Sequence, residues 1–167
     1  MSSERAGPKL VSARRPARAR QWANLPVRWL LRSPLHGMVD GRLMLITARG
    51  RSSGRSFTIP VGYAAGVDGW YVLVGRHGSK RWWRNLEGGA EVTLTIHGKT
   101  IRAHARVMRW HTNHSMFESA LALYLSRFPE TARRLGVAMP GGIADRAALR
   151  EVARDSVMVR AARPHLA

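Results

Sequence analysis

The chain has 167 residues, 45% of them hydrophobic, which fits one domain with a sizeable core and excludes a disordered or collagen-like chain. No apolar run approaches a membrane span, and the absence of cysteine excludes a disulfide scaffold, a thiolate zinc site and a cysteine nucleophile. Lys and Arg number 28 against 10 Asp and Glu, a net charge of +18 that favours anionic ligands.

Residues 1–20 are rich in Arg, Ala, Ser and Pro, and too poor in apolar groups to offset their ordering entropy. They read as a loose basic arm. Trp22, Leu25, Trp29 and Leu30 then recur at helical intervals, predicting an amphipathic helix over 21–35. It serves either as a lid on the core or in a membrane-surface or cofactor-tail role.

Barrel hairpins are expected over 42–108. Leu43–Ala48 reads as a strand ended by the tight, basic turn Gly50-Arg51-Ser52-Ser53-Gly54. Phe57–Ala65 reads as a second strand in which Pro60 marks an edge or bulge, paired through the Asp68-Gly69 turn with Trp70–Val74. Ser79 is placed to cap a short helix from Lys80 to Leu86, stopped by Gly88-Gly89. Of Trp82 and Trp83 on it, one should anchor the core and the other could shelve a flat ring. Val92, Leu94 and Ile96 alternate with polar residues, as do Ile101, Ala103, Ala105 and Val107 across a Gly98-Lys99 turn, giving a half-buried hairpin. Helical periodicity over 112–155 predicts a cover, and 156–161 a closing strand. The pattern is α+β: a small antiparallel barrel with flanking helices, in a domain spanning 21–163.

Nucleotide-loop, dinucleotide and zinc-protease signatures are absent, and carboxylates are too sparse for a catalytic pair. The difficult chemistry is therefore expected of a cofactor, unless the chain only binds. Between Gly41 and Leu86 the only acid is Asp68, against Arg42, Arg49, Arg51, Arg55, Arg76, Lys80, Arg81 and Arg84. Folded onto one face, these bases make an anion groove. In the turn, glycines allow backbone N–H groups to converge while Ser53, Arg51 and Arg55 add donors, so a phosphate would fit, although an ordinary solvated hairpin loop has the same composition.

Leu45-Ile46-Thr47, Gly50-Arg51-Ser52-Ser53-Gly54-Arg55, Thr58-Ile59-Pro60-Val61-Gly62-Tyr63 and Lys80-Arg81-Trp82-Trp83-Arg84-Asn85-Leu86, followed by the hairpin from Val92 to Arg106, resemble the deazaflavin-dependent nitroreductase and quinone reductase family. The resemblance implies a split β-barrel, similar to FMN-binding split barrels, that binds coenzyme F420 and passes a hydride from its reduced ring to an electrophilic planar substrate, a quinone or nitroaromatic. It implies that Arg51, Ser53, Gly54 and Arg55 hold the cofactor phosphate with Lys80 adding charge. The backbone of Ile59, Pro60 and Val61 would face the ring, and Trp82 and Asn85 would brace the wall. Ser52 and Phe57 stand where many relatives carry bases. Tyr63 and Tyr124 are the candidates to orient substrate or relay a proton; each could equally be a core aromatic. The alternatives are an FMN-binding relative and a non-catalytic barrel that binds an anionic cofactor or nucleic acid. No metal is expected, homodimerisation is common in such barrels, and the default location is cytoplasmic, with the basic amino terminus as a route to a membrane surface.

Overall fold

The computed structural model describes residues 41–164, all within the compact unit His36–Ala167. The arm over 1–20 and the helix over 21–35 lie outside the described residues. Seven strands form one antiparallel sheet: β1 (Leu43–Arg49), β2 (Ser56–Gly62), β3 (Ala64–Ala65), β4 (Gly69–Leu73), β5 (Ala90–Ile96), β6 (Lys99–Arg109) and β7 (Val157–Ala162). Their order across the sheet is β2-β1-β5-β6-β7-β4-β3. The sheet curls until β2 approaches β4, giving the split-barrel α+β architecture.

Strict alternation closes the curl. Met44, Ile46 and Ala48 of β1, Val92, Leu94 and Ile96 of β5, Ala103 and Ala105 of β6, and Val157, Val159 and Ala161 of β7 point into one buried core. The 3₁₀ segment Trp82–Leu86 caps this core through Trp83 and Leu86.

A second core lies on the opposite face of β4, β6 and β7, where Tyr71, Met108 and Met158 meet the helices. Helix α1 (His114–Arg127) starts because the Asn113 side chain accepts from the Met116 N–H. It buries Phe117, Ala120, Leu121, Tyr124 and Leu125, spaced as one helical stripe. Burial of each large side chain in this stripe contributes roughly 1.5–3 kcal/mol. Helix α2 (Pro129–Arg134) follows, with proline in its first turn, and α3 (Arg146–Arg154) is capped by Asp145, whose carboxylate accepts from the Ala148 N–H.

Three local expectations change. The strand read over Phe57–Ala65 is two strands: β2 pairs with β1 along its length, and only Ala64–Ala65 pairs with β4. Tyr63 divides them by turning its ring into the first core while its N–H bonds the Arg42 carbonyl. The β5–β6 loop is His97-Gly98, with Ile96 opposite Lys99; both loop residues have positive φ, the geometry that matches strand twist in a two-residue hairpin. The third concerns Ser79, whose hydroxyl donates to the Arg76 carbonyl and caps no helix. Arg76, at φ +53, gathers the Ser79 and Lys80 N–H groups on the same carbonyl, so the chain enters a 3₁₀ turn that begins two residues later than expected.

Candidate functional site

The basic turn joins β1 to β2 and is closed by its own backbone. Gly50 N–H donates to the Arg55 carbonyl and Gly54 N–H to the Gly50 carbonyl, both at 2.8 Å. Gly54 makes this closure at φ +61. Arg55 N–H donates to the Ser53 hydroxyl, and Arg51 N–H donates to Oδ1 of Asn85 at 2.9 Å. Among the described residues, the Ser52 and Ser53 N–H groups in this turn keep no protein partner. The convergence of donors expected from the glycines is thus narrowed to those two.

Asn85 belongs to the 3₁₀ segment, where its Nδ2 donates to the Trp82 carbonyl at 3.0 Å. Between turn and segment lies a cleft of about 340 Å³ lined by Arg51, Ser52, Phe57, Arg81, Trp82, Arg84 and Asn85. A 3₁₀ turn has three residues per turn, so side chains three apart share a side. Arg81 with Arg84 and Trp82 with Asn85 line the cleft, whereas Trp83 with Leu86 enters the core. Of the two tryptophans, Trp83 is the anchor, 3% exposed, with Nε1 donating to the His77 carbonyl. Trp82 is the half-buried shelf.

Arg51, Arg81 and Arg84 make no ion pair among the described residues; the five ion pairs there occupy other bases. Among the described residues the cleft is therefore cationic and uncompensated. Its lining includes Arg81 and Arg84, to which the sequence assigns no role beyond the basic run and the family motif, and omits Ser53, Gly54, Arg55 and Lys80.

Beside this cleft runs the edge of β2 that no strand among the described residues covers. Gly50 bonds Arg55 and Tyr63 bonds Arg42, which fixes the alternation of bonded pairs along β1 and β2. Ile59 and Val61 turn their backbone groups toward β1. Thr58 and Pro60 turn theirs outward, so the Thr58 N–H and the Thr58 and Pro60 carbonyls stand on the open edge. Pro60 sits on an edge strand, where its missing N–H breaks no ladder bond. Of Ile59, Pro60 and Val61, then, only Pro60 offers a backbone acceptor to a ligand.

The two tyrosines lie apart from the lining of the cleft. Tyr63, 5% exposed, points into the barrel core with its hydroxyl 3.5 Å from Nε2 of His97. Tyr124, 7% exposed, stacks on Phe128 at 4.5 Å in the second core. Its hydroxyl lies over Gly62 at the end of β2, only 2.9 Å from where a Cβ would stand, so that position admits only glycine without displacement. Burial, reinforced by the charge of Glu130, pushes the Tyr124 phenol up to about 12. Among the described residues its hydroxyl makes no hydrogen bond, and no cluster there could hold a metal ion.

The curled sheet defines a split-barrel protein, and beside it lies a basic cleft with an aromatic wall. The F420H(2)-dependent quinone reductase family matches residues 33–139, more than half of the chain. The protein belongs to that family, and its cofactor is coenzyme F420. Its donor set fits a phosphate-bearing planar cofactor: three guanidiniums without an ion pair among the described residues, an aromatic wall, and a strand edge that no described strand covers. No curated protein matches the chain.

Among solved structures, the fold is similar to a protein of unknown function from Agrobacterium tumefaciens, at 16% identity and TM-score 0.48, covering 74% of this chain and 48% of that one. This chain spans about half the length of that protein. It is also similar to an F420-H2 dependent reductase, at 14% identity and TM-score 0.47, covering 71% and 93%. A haem storage protein from Vibrio cholerae is similar at 13% identity and TM-score 0.45, covering 77% and 85%. Among the described residues no helix is long and apolar enough to cross a membrane.

Proposed function

We propose that this reductase passes a hydride from reduced F420 to a flat, electrophilic substrate of the quinone or nitroaromatic type. The observation that carries this reading is the uncompensated cleft of Arg51, Arg81 and Arg84 beside the open edge of β2. When bound, the reduced deazaflavin supplies the hydride; the protein supplies grip, orientation and a proton.

Arg51, Arg81 and Arg84 hold the cofactor phosphate, each charge-assisted bond contributing about 1.5–3 kcal/mol. Arg55 and Lys80 add field from outside the cleft. Phe57 and Trp82 exclude water from one side, and the Thr58 and Pro60 backbone groups meet polar atoms on the ring edge. Tyr124 remains an O–H donor throughout the neutral range because its phenol titrates only near 12. It is the group we assign to orient the substrate oxygen and stabilise charge developing there. Tyr63, held in the core, sets the corner where β2 ends.

The test is fluorescence titration of the full chain with F420 and with FMN, followed by turnover with quinone and nitroaromatic acceptors. F420 should bind more tightly than FMN, and Tyr124→Phe should lower turnover more than affinity. Equal or tighter FMN binding, or DNA binding with no flavin binding, overturns the reading.

A further inference from the structure

The side chain of Asn85 has both of its polar ends occupied within the protein. Oδ1 accepts from the Arg51 N–H at 2.9 Å, and Nδ2 donates to the Trp82 carbonyl at 3.0 Å. The first bond joins pieces of chain 34 residues apart, the β1–β2 turn and the 3₁₀ segment, while the second, three residues back within the segment, fixes the orientation of the amide. Each piece carries part of the cationic lining: Arg51 on the turn, Arg81 and Arg84 on the segment. Among the described residues the only other polar link inside the turn that involves a side chain, from Arg55 N–H to Ser53, is local.

We infer that Asn85 is a positioning residue, a latch that sets Arg51 opposite Arg81 and Arg84 and does not itself grip the cofactor. This rests on the reading of the cleft as the phosphate site. A primary amide suits the task because it alone among the uncharged polar side chains offers an acceptor and two donors on adjacent atoms. Alanine would remove the cross-link to Arg51 together with the local bond to Trp82, and aspartate would keep the acceptor for Arg51 while losing the local donor. With the latch open, the arginines remain but their separation is no longer set before the ligand arrives, so binding must supply the ordering.

The first measurement is amide exchange in the ligand-free full-length protein. Asn85→Ala should accelerate exchange at the Arg51 amide by about tenfold, while Asn85→Asp should leave it protected. The second is a double-mutant cycle in F420 affinity. Asn85→Ala and Arg51→Ala should each weaken binding about tenfold, and the double variant should be little worse than Arg51→Ala alone, because the latch acts through Arg51. Additive losses would assign Asn85 a direct contact and overturn the inference, as would an Arg51 amide that exchanges equally in all three proteins. If Arg51→Ala and Arg84→Ala leave F420 affinity unchanged, the phosphate site itself is misplaced; the exchange experiment still judges the latch, since it uses no ligand.

Discussion

The outer face of the sheet is treated differently at its two ends. Over β4, β6 and β7 the helices cover it, and Tyr71, Met108 and Met158 meet Phe117, Leu121 and Leu125 in a core without buried charge. Over β1, β2 and β5 the described residues leave Leu45, Thr47, Thr58, Pro60, Thr93 and Thr95 half-buried or exposed. The helices confer stability where they pack, and the cationic cleft lies beside β2, at the end of the sheet that the described helices leave bare.

Breaking the covered end should have the largest effect. Phe117→Ala is expected to cost about 3–5 kcal/mol in denaturant unfolding, because the ring is fully buried between α1 and the sheet. Trp83→Ala should cost a similar amount, whereas Trp82→Ala should change the melting point far less and act on cofactor affinity instead. If the two tryptophan variants melt alike, the division of the 3₁₀ segment between core and cleft is wrong.

At the open end the order reverses. Arg84→Ala should weaken F420 binding by about ten- to a hundredfold, as expected for one charge-assisted bond, with a melting point close to the parent because exposed charges contribute little. Isothermal titration and a thermal melt on the same sample would separate the two.

Alkali should act on the covered end. The raised Tyr124 phenol means that the unfolded chain gives up this proton before the folded one does. Its contribution to stability is complete below about pH 10 and declines as pH rises toward 12; Tyr71, raised to about 12 by burial and its bond to Asp68, adds to the same loss. Acid acts through Asp68, which the Tyr71 hydroxyl and Arg160 hold below the usual carboxylate value of 3.8. Its contribution is present above that value and is lost as pH falls through the folded pKa. Unfolding of Tyr124→Phe as a function of alkaline pH should show a smaller loss than the parent.

The smallest expected effect concerns the cofactor's anionic tail. Surplus bases outside the cleft, Arg55 and Lys80 among them, should add about 0–1 kcal/mol each at low salt. Affinity should therefore rise with the number of glutamates on the cofactor, and the increment should vanish near 1 M salt, where the Debye length is about 3 Å. A glutamate-independent affinity would leave those bases without a ligand role.

The strands were legible because one side of each is buried, and alternation over β1, β5 and β6 records which side. The split of β2 from β3 was not, since it depends on Tyr63 finding room in a core built from distant strands. Ser79 has the composition of a cap, but the carbonyl of Arg76 three residues back captured its hydroxyl first. The cleft was half legible. Arg51, Trp82 and Asn85 stood out by motif, while Arg81 and Arg84 looked like any two of eight bases. A period of three across Arg81-Trp82-Trp83-Arg84-Asn85-Leu86 is the signal that separates them, visible once the segment is taken as a 3₁₀ turn and not an α-helix.

Pro60 has a consequence beyond ligand contact. A sheet edge with free carbonyls and N–H groups in register is a template on which any extended chain can add itself as a further strand. At Pro60 the edge of β2 can accept but not donate, so an incoming strand finds its ladder interrupted in the middle of the seven-residue strand. A small planar ligand needs only a few of those groups and is not penalised by the gap. One residue thus disfavours strand addition at this edge while leaving its own carbonyl free.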